Sequence, residues 1–279
     1  MQIENVQIPP LSENIIACLS SIYKNDVSYE SLCEKISKDM SLIQKVFDIA
    51  NSQLYSKGIK TNNLKEAIIR IGITNLTTIL TSEYYSQYKK IDGIAFFKLK
   101  EFNQHSIFVS KLCFEIGKSL NLDRKFDLMI AGMFHDIGLL IRALSQPEKM
   151  EILIEKSKND KINFYTSEIN IQLLTHDQLG ANLLEKWGFN RQVVDLVKHH
   201  HTPTQHRTSS IDYLSKEFDI LELSNQISSK YSFGFHNNDP HVKISQILLD
   251  KIAISKNGLN SILKDVVLNL NVFSNSLYI

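Results

Sequence analysis

Apolar residues recur at steps of three and four along almost the whole chain, and no alternating apolar–polar stretch of useful length interrupts them. Such spacing belongs to the helix, which returns side chains to one face about every 3.6 residues, and not to the strand, whose faces alternate. "SENIIACLSSIY" (12–23) sets Ile15, Ile16, Leu19, Ile22 and Tyr23 on one face. Helix starts are expected at Ser28 and Asp39, whose side-chain oxygens can accept from free backbone N–H groups. In "NNLKEAIIRIG", Asn63 followed by Glu66 reads as a capping-box start and Gly72 as the stop. The fold class predicted is all-α.

Composition shifts divide the chain. "YKKIDGI" (88–94) reads as a joint between an N-terminal helical bundle over 1–90 and a second helical unit over 91–231. "SFGFHNNDPH" (232–241) reads as a loop opening a C-terminal helical extension over 232–279. With 279 residues, 43% of them hydrophobic, the chain can bury a sizeable core. A net charge of +1 gives no electrostatic footprint for nucleic acid, so no nucleic-acid partner is expected. The charged run "EKSKNDK" (155–161) reads as a solvated helix end. Cys18, Cys33 and Cys113 follow no metal or redox spacing and read as reduced thiols filling small core positions. The N-terminal "MQIENVQIPP" lacks a signal-peptide design, and no uncharged apolar run approaches a bilayer span. A cytoplasmic protein without a membrane partner is the expectation.

The nine histidines are informative through the faces they occupy. His105 falls in line with Phe102, Val109, Leu112 and Ile116; His135 with Leu128, Gly132 and Leu139. His176 aligns with Leu179, Leu183 and Trp187, and His200 with Val193, Leu196 and Val197, flanked by His199 and His201. A single histidine on an apolar stripe is more often a hydrogen-bonded structural group than a ligand. Four such segments alter the weighing, because each buried imidazole needs a partner and one metal ion serves several at once. Asp136, beside His135 in "GMFHDIGLL", would add a hard oxygen to these nitrogens. That mixture suits Fe, Mn, Ni or Zn better than calcium, and such a centre could activate water and clamp a phosphoryl oxygen. Buried imidazoles satisfied by hydrogen bonds alone are the competing reading.

Six segments, in order, carry a family resemblance. They are "IPPLSENIIACL" (8–19), "ISKDMSLIQKVFDIANSQLY" (36–55, with Met40 where proline is usual), "LKEAIIRIGITNL" (64–76), "GMFHDIGLL", "THDQLGANLLEKWGF" (175–189) and "HHTP" (200–203). Over roughly residues 8–230 the chain resembles the HDOD domain, a divergent relative of the HD and HD-GYP phosphohydrolases. The resemblance implies an N-terminal helical bundle packed on an HD-type helical domain, in a signal-transduction module acting through contacts with a signalling protein. It also implies a partly retained metal site. His105 matches the first ligand histidine, His135–Asp136 the doublet, His176 the next histidine and His200–His201 the later pair.

Two departures bear on activity: Asn225 stands where the distal aspartate is expected, and Leu139 replaces a phosphate-contacting lysine. No Gly-Tyr-Pro segment follows the histidine pair, which leaves a cyclic di-GMP phosphodiesterase poorly supported. The alternative reading is a metal-dependent phosphohydrolase acting on a nucleotide or other phosphoester; between the two lies a site that binds metal and a phosphorylated small molecule without turnover. For catalysis, His105, His135, Asp136 and His176 are assigned to a first ion and His200 and His201 to a second. Asp136 would bridge or orient the attacking water, as the catalytic residue, and Asn225 would coordinate weakly or bond a ligated water. Asn51, Ser52 and Tyr55 match a family signature and read as structural, and Trp187 reads as core before Gly188.

Overall fold

The computed structural model describes residues 11–23, 28–86, 88, 97–203, 206–231, 233 and 244–277, and every regular element among them is helical. The first group comprises α1 (Glu13–Tyr23), α2 (Tyr29–Ile36), α3 (Met40–Ala50), the single turn α4 (Gln53–Ser56), α5 (Leu64–Ile71) and α6 (Ile73–Ser86). The second comprises α7 (Leu99–Ser119), α8 (Lys125–Phe134), α9 (Ile137–Ser145), α10 (Pro147–Asp160), α11 (Phe164–Asn170), α12 (His176–Lys186), α13 (Arg191–Lys198) and α14 (Ser215–Lys230). Last come α15 (Gln246–Ile252) and α16 (Lys256–Leu277). The joint read at 88–94 and the loop read at 232–241 lie outside the described residues, apart from Tyr88 and Phe233.

The helix starts follow their capping chemistry. Ser28 Oγ accepts from Ser31 N at 3.2 Å, and Asp39 Oδ1 accepts from Ser41 N and Leu42 N at 2.9 and 3.2 Å. Asn63 caps α5 by accepting from Glu66 N at 3.0 Å, and Gly72 ends it with φ +78, a conformation that favours glycine. The capping box is only half formed. Glu66 turns instead to the Thr61 hydroxyl at 2.6 Å and to Arg70 at 2.7 Å, while Asn63 N–H donates to Thr61 Oγ1. A nearby hydroxyl and a guanidinium one turn on outcompete the exposed N–H for the carboxylate.

By its contacts the chain forms two compact units, Lys89–Leu259 and Leu11–Tyr88 with Asn260–Ile279. The sequence reading sets 232–279 apart as one extension, whereas here α15 packs on α14 and the chain from Asn260 groups with the first six helices. Within that N-terminal unit, Asn75 Nδ2 donates to Tyr55 Oη at 2.7 Å, and Tyr55 Oη donates to Asn269 Oδ1 at 3.0 Å. Asn51 accepts from Thr61 N at 2.8 Å and donates to Thr61 O at 2.9 Å, pinning the strand of chain between α4 and α5. Asn51→Ala is expected to cost about 1–3 kcal/mol, because both Thr61 backbone groups lose their partner. A lower urea midpoint with unchanged slope would register the loss.

The second unit is organised around α7, against which α8 and α14 pack, while α9 meets α12 and α12 meets α13. Two glycines permit unusually close approach. A Cβ on Gly132 would lie 3.0 Å from Ser110 Cα in α7, and one on Gly138 would lie 1.9 Å from the carbonyl oxygen of His176. These contacts bring the ends of α8 and α9 against the segments that carry His105 and His176.

Lys125–Ser145, spanning α8 and α9, is long and apolar enough to cross a membrane by length and composition, but it carries Lys125, Asp127, Asp136 and Arg142, and its most apolar stretch is 83% buried inside the protein. Trp187 is half-buried at the end of α12, edge-on to Phe134 at 6.0 Å, so it borders the core and does not fill it. Cys18 and Cys113 are buried as expected; Cys33 is only half-buried.

Candidate metal centre

Helical periodicity predicts each histidine on the inner face of a helix. The facing holds, but only His105 sits inside one. His135 and Asp136 form the two-residue joint between α8 and α9, His176 is the first residue of α12, and His200 and His201 lie in the turn beyond α13. Helix ends leave backbone groups without intrahelical partners, and those groups hold the rings. His135 Nδ1 donates to Gly132 O at 2.9 Å, and His200 Nδ1 donates to Val197 O at 2.7 Å. His176 N–H, free at the start of α12, donates to Glu168 Oε2 at 2.9 Å, and His176 Nδ1 reaches the same oxygen at 2.7 Å. On α7, His105 Nδ1 faces Ser228 Oγ at 2.8 Å and Phe233 O at 3.1 Å.

These partners fix the tautomers. A carbonyl or carboxylate oxygen only accepts, so the facing Nδ1 of His105, His135, His176 and His200 carries the proton, and in the neutral ring Nε2 is a lone pair. All four Nε2 atoms point at Asp136. Those of His105 and His135 stand 3.3 Å from Asp136 Oδ2 and 3.2 Å from each other. Those of His176 and His200 stand 3.3 and 3.6 Å from Oδ1, and His201 Nε2 is 3.0 Å from His176 Nε2. His200 Nε2 is buried and has no hydrogen-bond partner. Nε2 lone pairs gathered around a carboxylate repel it unless positive charge lies among them, supplied by a metal ion or, at His176, by the second proton of the ring. The donor set therefore fits a metal.

The distances sort the residues into two groups, His105–His135–Asp136 and Asp136–His176–His200–His201, each with ligand atoms within 4.8 Å of one another. Asp136 belongs to both, one oxygen to each side. The sequence-based assignment gives His176 to the first ion, whereas the distances group it with His200 and His201. The reason is the start of α12, which Gly138 lets approach the Oδ1 side. Asn225 stands half-buried on α14 and lines the cavity above the cluster together with Leu139. His199 caps α13, half-buried and outside both groups.

Protonation follows the same field. Burial lowers His135. Burial, with His200 and His176 beside it, holds His201 well below the usual imidazole range. Burial works against the charged form of Asp136, but the surrounding imidazoles outweigh it and keep the carboxyl well below the usual carboxylate range. For His176, burial is likewise outweighed, here by the Glu168 and Asp136 carboxylates, which push it up to about 10. An ion entering the second group must displace that proton. Divalent-ion affinity there is expected to rise about tenfold per pH unit between roughly pH 6 and 8, with one proton released. Zinc titration calorimetry in buffers of different ionisation enthalpy checks this; a flat affinity would mean that His176 is already neutral.

Behind His176 lies a group that motif reading misses. Glu168 of α11 is wholly buried and accepts from Arg142 of α9 at 3.1 Å, and Arg142 also donates to Leu174 O. Carboxylates placed behind ligand histidines orient the ring and raise its basicity. Arg142 is visible in sequence as a lone charge in the apolar "IGLLIRALS"; Glu168 in "FYTSEIN" carries no signal of its own. Tyr165, also on α11, stacks on His201 with ring centres 4.7 Å apart.

Above the cluster opens a cavity of about 380 Å³, walled by α9, α11, α14 and the turn after α13. Its apolar walls include Leu139, Phe164 and Leu221, and Asn163, Thr202, Asn225, Gln226, Ser229 and Glu222 supply polar groups.

Fold and cluster together define an all-helical protein with a buried His/Asp cluster that could hold a metal. The HDOD domain model matches residues 8–203, and the chain belongs to the HDOD family. Among solved structures, an HDOD domain protein of unknown function from Geobacter sulfurreducens superposes with TM-score 0.73 at 16% identity, covering 96% of this chain and 92% of that one. A Shewanella amazonensis protein, provisionally named a phosphohydrolase, gives 0.69 at 20% identity, covering 97% and 93%. A Marinobacter aquaeolei protein, provisionally named a signal transduction protein, gives 0.75 at 14% identity, covering 98% of this chain and 60% of its own. At these identities the likeness is one of fold. An uncharacterized protein of Treponema pallidum is 21% identical over 197 residues, which span 70% of this chain and 37% of that relative.

Proposed function

We propose that this HDOD domain carries a two-ion, metal-dependent phosphohydrolase centre acting on a phosphoester. The carrying observation is Asp136, whose two oxygens each face a separate group of imidazole lone pairs at 3.3–3.6 Å beneath an open cavity. Divalent Fe, Mn, Ni or Zn held there would lower the pKa of a water and polarise a phosphoryl oxygen. The chain's own part is to fix geometry. Asp136 spaces the two groups, Gly132 O and Val197 O set the ring planes of His135 and His200, and Glu168 holds His176 in its ligating tautomer. Leu139, Phe164 and Leu221 give the cavity over the cluster apolar walls against which the organic part of an ester can pack.

A second reading, a signalling module that works through protein contacts with an occupied but idle centre, draws support from Leu139 and from the lack of lysine or arginine among the described cavity residues. Metal analysis of untagged protein, followed by assay on aryl phosphomonoesters and phosphodiesters, separates the two. About two ions per chain with turnover that disappears in His135→Ala supports the hydrolase. Metal without turnover on any ester leaves the signalling module, and metal-free, inactive protein removes both centres.

A further inference from the structure

Resting on the phosphoester reading, we infer that the cavity selects ligands with a single phosphoryl group and no second negative charge, and that Glu222 sets this preference. The floor of the cavity, once loaded with divalent ions, is positive, but its walls are not. Among the described residues lining it there is no lysine or arginine; the polar wall consists of amides and hydroxyls together with Glu222. Two cations, Arg207 and Lys251, act on Glu222 from outside the lining, and Arg207 is already committed. Its side chain is 2% exposed, Nη1 donates to Asp219 at 2.7 Å, and the guanidinium lies over the Phe218 ring at 4.9 Å. Arg207 Nη2 comes only within 3.9 Å of Glu222, whose side chain keeps 43% of its exposure.

Glu222 is placed to meet whatever the phosphoryl group carries. It stands on α14 one turn before Asn225 and Gln226, accepts from Gln226 Nε2 at 3.2 Å, and shares the cavity with Tyr165 and Phe164. One phosphoryl group on the ions is compensated there. A second phosphate or a carboxylate elsewhere on the ligand finds no lysine or arginine among the described lining residues and meets the Glu222 carboxylate instead, and like charges in a partly desolvated site repel strongly. Amides, hydroxyls and an aromatic face accept an uncharged hydrogen-bonding group, and Glu222 would favour a cationic one.

The test uses three non-hydrolysable probes of one shape: benzylphosphonate, its 4-carboxy derivative and its 4-aminomethyl derivative. Their dissociation constants for the zinc-loaded full chain are measured by calorimetry. Expected is binding of the carboxylate probe about tenfold or more weaker than that of the neutral probe, with the ammonium probe at least as tight as the neutral one. In Glu222→Gln the carboxylate penalty should largely vanish while benzylphosphonate affinity holds, and in Glu222→Lys the order should invert. Equal binding of all three probes overturns the selectivity while leaving the phosphoester reading intact. A carboxylate penalty that survives Glu222→Gln overturns the role of Glu222. Loaded protein that binds none of the probes overturns the phosphoester reading, and this inference with it.

Discussion

Gly138→Ala is expected to destabilise the protein by about 3 kcal/mol or more and to strip the centre of metal, although it adds a single methyl group. The added Cβ would sit 1.9 Å from His176 O, 2.6 Å from its carbonyl carbon and 2.8 Å from its Cα. No side chain can rotate out of the way, because every one of these atoms is backbone. The start of α12 must retreat from α9, and His176 travels with it, away from Asp136 Oδ1. Gly132→Ala supplies the graded comparison: its Cβ would meet Ser110 Cα at 3.0 Å and Cys113 Sγ at 3.2 Å, so a shift of a few tenths of an ångström suffices. Urea unfolding and metal content of the two variants provide the check. A Gly138→Ala protein with full stability and full metal would show that the approach of α9 to α12 does not position the site.

Removing the bridge and removing its support should have different signatures. Asp136→Ala is expected to lose both ions, since its Oδ2 serves His105 and His135 and its Oδ1 serves His176 and His200. Glu168→Gln should weaken only the second group, by about 10- to 100-fold, and leave one ion on His105 and His135. The charge lost at Glu168 also leaves Arg142 buried without its counter-ion, a defect that costs about 3–5 kcal/mol. Pairing the change with Arg142→Met should recover much of that stability, yet not the ion. Metal counting by mass spectrometry beside thermal unfolding tells the two effects apart. Two ions retained in Glu168→Gln would mean that His176 needs no carboxylate behind it.

Much of the site was open to reading from residue spacing. His105, His135, Asp136, His176, His200 and His201 do gather around one point, because an imidazole on an apolar stripe has nowhere to go but inward. The six quoted segments likewise carry the likeness to the HDOD family, whose model matches residues 8–203. Spacing misjudged where the helices stop. "GMFHDIGLL" reads as a continuous helix, yet it breaks at His135–Asp136, and that break turns the Asp136 carboxylate between the two groups. A helical stripe reports the face a residue occupies and carries no information on whether the helix ends there.

Helicity, the inward facing of the histidines and the helix starts at Ser28, Asp39 and Asn63 were determined by sequence alone, since each depends on neighbours a few residues away. The grouping of His176 with His200 and His201, the Glu168–Arg142 pair behind it and the placing of Glu222 on the cavity wall were decided by tertiary structure. Those depend on how closely α9, α11, α12 and α14 approach one another. Approach distances are set by small contacts such as Gly138 against His176 O, which join residues that are remote in the chain and leave no periodic trace in it.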